Sequence, residues 1–365
     1  MRVCHITTVH PVDDHRILHK ECASLRDAGY DVTLIAPSEQ DDVIAGVRIV
    51  ALRGSVRSRR ERMLRRPPAA YRAALALDAD LYHFHDPEFL PWGVRLARAG
   101  KRVVYDAHED VPTQIRSKDW IPAEARASVA HAFGRLEVAC VARLDAVISP
   151  SVVALERLRR HAARTAFVAN YPRLDWLRPA ASWDQRARAA CYVGGITPLR
   201  GAREMVDAMA HADAELHLAG AISPPELLGE LERSPGWPRV RYLGRVQHDS
   251  VPDLFARVKL GLIPLHPVTN YVDAYPVKLF EYLAAGLPVI ATDVPRWREV
   301  LEAHDCGVCV PHGSPRLLGE AIARLLDDDA RARGMGERGR RAVEQHYSWE
   351  TQAAVLVGLY ADLLS

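Results

Sequence analysis

The sequence predicts two α/β domains, each a parallel sheet wound through βαβ units, and three observations carry that prediction. A chain of 365 residues exceeds what one hydrophobic core usually organises. Short β-rich runs alternate with amphipathic helical stretches from the first residues. That alternation stops once, near residue 170, and restarts near residue 190. With 48% hydrophobic and 26% charged residues, the composition excludes a disordered or fibrous chain. No apolar run approaches the roughly 18 residues that span a bilayer, and the chain enters a strand pattern directly, so it reads as cytoplasmic.

The elements follow in order. A strand over 3–7 leads through a polar loop to a helix with Leu18, Cys22 and Leu25 on one face; Gly29 ends it and a strand at 32–35 follows. Strands at 81–85, 102–105, 146–148 and 166–169 complete a domain over residues 1–169. Turn residues from Asn170-Tyr171-Pro172 to Ser182 mark the linker. Strands at 190–193, 216–218, 240–243, 260–263, 289–292 and 308–310 build a second domain over 170–345. The segment 346–365 carries a helix over 349–364 with Val355, Leu356, Leu359, Tyr360 and Leu363 on its apolar face. Open parallel sheets bind ligands beyond the carboxyl ends of their strands, so two such domains facing each other predict an interdomain site.

The six cysteines lie mostly within apolar runs, as small buried side chains do in a reducing compartment. The one C-x-x-C, Cys306 to Cys309, lacks a second ligand pair at zinc spacing. The His, Asp and Glu residues elsewhere show no compact ligand spacing along the chain, so no metal is expected.

The densest chemistry lies in 270–292. Pro276 fits a first helical position and Gly286 the position just past the end. No capping side chain precedes Pro276, leaving the amides of Val277 and Lys278 available to an anion. Lys278 and Glu281 are three apart on one helix face, where a nucleoside diphosphate would find a cation for phosphate and a carboxylate for ribose hydroxyls. An exposed helix salt bridge of about 0.2–0.5 kcal/mol would use the same spacing.

Asp273, seven residues, Glu281, then Gly286-Leu287-Pro288-Val289 resembles the signature of the retaining GT-B enzymes of glycosyltransferase family four, the glycosyl transferases group 1. The resemblance implies two Rossmann-like domains, the first binding acceptor and the second nucleotide sugar, with the final helix crossing back onto the first. It implies that Glu281 binds ribose, that Asp273, standing where the family usually has Glu, contacts the donor sugar, and that amides of Ala274, Tyr275 and Val277 hold phosphate. Cys191–Gly195 followed by Arg200-Gly201 resembles the family's diphosphate loop. Gly195 stands at the first cation's place and Arg200 at that of the usual Lys, so Arg200 acts with Lys278. Tyr242–Val246 resembles the strand and loop that receive the base, ending at Val246. The family's sugar-contacting His, at a strand's carboxyl end, matches His108. His108, Arg200, Lys278 and Asp273 are therefore the catalytic candidates. Asp13, Asp14, His15, His85, Asp86 and Glu109, also beyond carboxyl strand ends, are candidate acceptor contacts.

The expected partners are a UDP- or GDP-linked sugar as co-substrate, with no further cofactor, and a saccharide, lipid-linked or small-molecule acceptor. Eight arginines between Arg53 and Arg72 face only Glu61, a density that attracts anionic lipid and would place the protein peripherally on the inner membrane face. Nucleic acid is not expected: aromatic platforms and a recognisable motif are missing, and Pro67-Pro68 interrupts the stretch. Two rival readings are a nucleotide-sugar epimerase, which acts on the donor alone, and a non-catalytic protein that binds anionic surfaces. A glycosidase would need two flanking carboxyl groups, and no such pair is assignable.

Overall fold

The computed structural model describes residues 1–118, 120–177, 182–272 and 274–365. They form two compact units: unit 1 is Met1–Asn170 with Gln352–Ser365, and unit 2 is Tyr171–Thr351. Among the described residues no helix is long and apolar enough to cross a membrane.

Unit 1 contains β1 (Arg2–Ile6), β2 (Asp31–Ala36), β3 (Asp42–Ile44), β4 (Val47–Ala51), β5 (Leu81–Phe84), β6 (Arg102–Asp106), β7 (Ala146–Ser149) and β8 (Thr165–Phe167), in the sheet order β3-β4-β2-β1-β5-β6-β7-β8. All neighbours are parallel except β3 and β4. Side chains alternate between faces, so Cys4, Ile6, Tyr82, Phe84, Val103 and Tyr105 enter one core while His5 and His83, register partners on β1 and β5, face the other way. The strand order reverses between β1 and β5, the place where such a sheet opens a ligand crevice.

Unit 2 contains β9 (Ala189–Val193), β10 (Glu215–Ala219), β11 (Val240–Gly244), β12 (Leu260–Ile263), β13 (Val289–Thr292) and β14 (Gly307–Val310), in the order β11-β10-β9-β12-β13-β14 and parallel throughout. Its reversal lies between β9 and β12.

One element was unread and two local expectations are corrected. The β3–β4 hairpin turns through Ala45 and Gly46, both at positive φ, a pair without the Asn-Gly or Asp-Gly signal that marks such turns. Pro67 and Pro68 do not interrupt a helix; they lie inside Arg59–Leu77. A proline there costs about 3 kcal/mol. Against that cost, Pro67, Ala70 and Ala74 are buried, and the Ser58 Oγ accepts the Glu61 amide at 3.2 Å as an N-cap. In the final helix, Trp349–Leu364, the residues Leu356, Leu359, Tyr360 and Leu363 are buried as expected, but Val355 is exposed.

Candidate active site

In unit 2 the site is built around helix Val277–Ala284. Leu279, Phe280, Tyr282 and Leu283 are buried, which turns Val277, Lys278 and Glu281 away from the core. Gly286, at φ 70°, closes the helix: its amide donates to Leu283 O and that of Leu287 to Tyr282 O. Pro276 stands at the N-cap, one place before the expected first helical position, and makes no side-chain cap. The Tyr282 hydroxyl accepts the Val193 amide at 3.1 Å and ties this helix to the end of β9.

Beyond β9 the chain runs through Gly194 and Gly195, and both expected cations overhang that pair. A Cβ at Gly194, whose φ is 136°, would stand 3.0 Å from Lys278 Nζ, and one at Gly195 would stand 2.9 Å from Arg200 Nη1. Arg200 donates to Gly195 O at 3.4 Å; Lys278 donates to the Tyr192 hydroxyl at 3.2 Å and lies 4.3 Å from that ring's centroid. Burial, and then the neighbouring Arg200, lower the Lys278 pKa to about 8. Two cations held together are the setting for a diphosphate. Ala274 is exposed and Tyr275 half-buried; the Ala274 carbonyl accepts the Trp297 indole at 2.8 Å. Val246 is half-buried beyond β11. Asp273 lies outside the described residues.

In unit 1 the carboxyl ends of β1, β5 and β6 gather a charged cluster. Asp106 is buried and takes two bonds from Arg16, Nε at 2.9 Å and Nη2 at 3.2 Å. It also lies 3.1 Å from His108 Nε2 and 3.4 Å from His85 Nδ1. Burial would raise Asp106, but Arg16 and then His108 hold it well below the usual carboxylate range. His108 is thereby fixed in orientation while 21% of its side chain remains exposed. Asp86, buried, accepts from the Thr7 hydroxyl at 2.9 Å and the Thr8 amide at 2.6 Å. Asp14 takes the amides of Arg16 and Ile17 and contacts His10 at 3.2 Å, so it shapes the loop. Asp13, His15 and Glu109 are exposed.

Sequence reasoning placed Arg16 in the first loop among candidate acceptor contacts but missed its buried pairing, and it missed Glu21, Arg62 and Arg66. The helix after the first loop opens with a wide turn, Ile17–Cys22, in which Glu21 N donates to Arg16 O five residues back. Arg16 Nε comes within 3.0 Å of Glu21 Oε1 in the interior. Arg62 pairs with Glu88 at 3.0 Å, and Arg66 donates to Thr8 O at 2.9 Å. Two arginines of the basic stretch therefore serve this site rather than an outer surface. Ligand spacing absent along the chain also arises in space: His5, Glu21, His83 and His85 bring one ligand atom each within 4.8 Å of one another, as do His85, Asp106 and His108.

Comparison with known proteins matches this division. Residues 15–170 match the family model for Glycosyltransferase Family 4, and residues 187–328 the model for Glycosyl transferases group 1. The phosphatidyl-myo-inositol mannosyltransferase of Mycolicibacterium smegmatis is 24% identical, aligned over 92% of this chain and 86% of its own. Sucrose-phosphate synthase from Thermosynechococcus elongatus superposes with a TM-score of 0.77 at 22% identity, over 99% of this chain and 98% of that one. Anabaena HepE, solved in complex with UDP, superposes at 0.75 and 15% identity, over 99% of this chain and all of its own. With both sheets, both family matches and these likenesses of fold in place, the chain belongs to the glycosyl transferases group 1 of glycosyltransferase family 4 and is a glycosyltransferase of the GT-B fold.

Proposed function

We propose that the chain transfers a sugar from a nucleoside diphosphate donor held by unit 2 to an acceptor hydroxyl held by unit 1, with retention of configuration. The observation that carries this reading is the pairing of Arg200 and Lys278 over Gly194-Gly195, beside a helix N-terminus without a side-chain cap. The bond from the anomeric carbon to the β-phosphate oxygen breaks, and a glycosidic bond forms to the acceptor oxygen on the same face. The acceptor proton leaves on the diphosphate. Negative charge grows on that leaving group, and fixed cations and amides stabilise it, so no metal is needed at the diphosphate. Glu281 takes the ribose hydroxyls, Val246 lies by the base, and Asp273 and His108 contact the transferred sugar. UDP is the first donor base to test, because HepE was solved with UDP, and GDP is the second. The mycobacterial relative's name makes an inositol lipid the first acceptor to try.

Thermal melts with UDP and GDP test the donor half. A nucleotide at 100 times its dissociation constant stabilises by about 2.7 kcal/mol. Glu281→Ala is expected to cost about 1.5–3 kcal/mol of that binding, roughly ten- to a hundredfold in affinity. Unchanged affinity by calorimetry would remove the ribose assignment. Product analysis with and without acceptor separates transfer from epimerisation, which needs no acceptor.

The pH dependence has a definite sign. Lys278 titrates near 8 in the free protein, and a bound diphosphate favours its charged form. Nucleotide affinity should therefore be flat below that pH and fall above it, by at most about tenfold per unit. Lys278→Arg should flatten the profile; a profile still falling in that variant would show another group responsible.

Membrane contact is the reading of the outward part of the basic stretch. Arg59, Arg60 and Arg65 are exposed beside Met63, Leu64 and Trp120, the last under the Arg59 guanidinium at 4.5 Å. Neutralising these three arginines should reduce association with anionic vesicles at low salt while leaving donor hydrolysis intact. If the parent protein shows no salt-dependent association, the contact does not exist.

A further inference from the structure

We propose that His5, His83, His85 and Glu21 form a closed, four-ligand zinc site in the interior of unit 1. All four are buried, three of them completely. His5 Nδ1, His83 Nδ1 and His85 Nε2 each lie 3.9 Å from the same oxygen, Glu21 Oε2. His5 Nδ1 and His85 Nε2 are 3.0 Å apart. Zinc bound tetrahedrally at about 2.0–2.1 Å sets its ligand atoms about 3.4 Å apart. The cage therefore needs adjustments of about half an ångström to close on the ion.

Three imidazoles alone could form a plain hydrogen-bonded chain. Glu21 is what that reading leaves unexplained. Among the described residues neither of its oxygens meets hydrogen-bond geometry, although Arg16 Nε lies 3.0 Å from Oε1 and Asp106 is a close neighbour. A buried carboxylate without hydrogen bonds is costly, and binding a metal relieves it. Glu21 and Asp106, both buried, lie against one buried guanidinium, that of Arg16.

The outer shell is also present. His5 Nε2 meets the Tyr360 hydroxyl at 3.1 Å, and His85 Nδ1 faces the Asp106 carboxylate at 3.4 Å, leaving the opposite nitrogen of each ring for the ion. His83 Nδ1 now contacts the Tyr360 hydroxyl at 2.7 Å and would exchange that bond for the metal. His85 also belongs to a second group, with Asp106 and the partly exposed His108. Imidazole with one carboxylate in a closed four-coordinate set suits zinc, and its role is structural; the diphosphate charge of the proposed reaction is left to Arg200 and Lys278.

Elemental analysis of the untagged full chain, loaded with zinc and desalted, is expected to give one zinc per chain. X-ray absorption of that sample should show nitrogen and oxygen neighbours at about 2.0–2.1 Å with imidazole scattering and no sulfur. Glu21→Gln and His83→Asn should each lower zinc retention at least tenfold, whereas a Cys306→Ser, Cys309→Ser double variant should retain it. Loss of zinc on desalting the parent overturns the proposal. So does a sulfur neighbour, or full retention in both ligand variants. The absorption measurement needs no variant, so the result stands even if a substituted chain fails to fold.

Discussion

Arg200→Ala and Lys278→Ala are each expected to lower kcat by a hundredfold or more, with a smaller rise in donor KM. Removing one preorganised electrostatic contact at a developing charge commonly costs about 3–4 kcal/mol. Both side chains are already in place over Gly194 and Gly195, so little reorganisation accompanies the growth of charge on the leaving diphosphate. Only contacts that strengthen toward the transition state raise turnover, which is why the loss should fall on kcat. Arg200→Lys should recover part of the rate, because charge remains while the planar fork is lost. Near-parental kcat in both alanine variants, with normal melting curves, would take the two residues out of the mechanism.

The second large effect is on stability. Arg16→Met should destabilise unit 1 by about 3–5 kcal/mol, because it strands Asp106 and Glu21 in the interior without their cation. For a unit of this size that corresponds to a fall in Tm on the order of 10 °C. Arg16 is 5% exposed, so water cannot take over the role of the guanidinium. Combining Arg16→Met with Asp106→Leu should recover part of the loss, since the pair removed together leaves one fewer stranded charge. A single variant melting within about 2 °C of the parent would mean that the carboxylates find another partner or a proton.

What could be read from the sequence follows the range of the interactions. The Lys278 and Glu281 face is local: one helix, an N-terminal Pro276 and a closing Gly286 define it within about a dozen residues. The parallel strands were readable for the same reason, as short apolar runs between turn signals. The Arg16–Asp106 pair spans 90 positions and depends on the wide turn at Ile17–Cys22, for which no sequence pattern was available. His5, Glu21, His83 and His85 look unrelated in sequence and meet because β1 and β5 are neighbours in register. The double proline in Arg59–Leu77 misled because tertiary packing outweighed local propensity, and with the helix restored, Arg62 and Arg66 swing toward Glu88 and Thr8.

The placement of Gln352–Ser365 in unit 1 sets an order on synthesis. Tyr360 is 355 residues downstream of the His5 it contacts. At roughly 5–20 residues per second, the ribosome delivers that tyrosine about 20–70 s after β1. Until then His5 and His83 lack the hydroxyl they meet in the folded unit, and unit 2, although second along the chain, has all of its residues before unit 1 does.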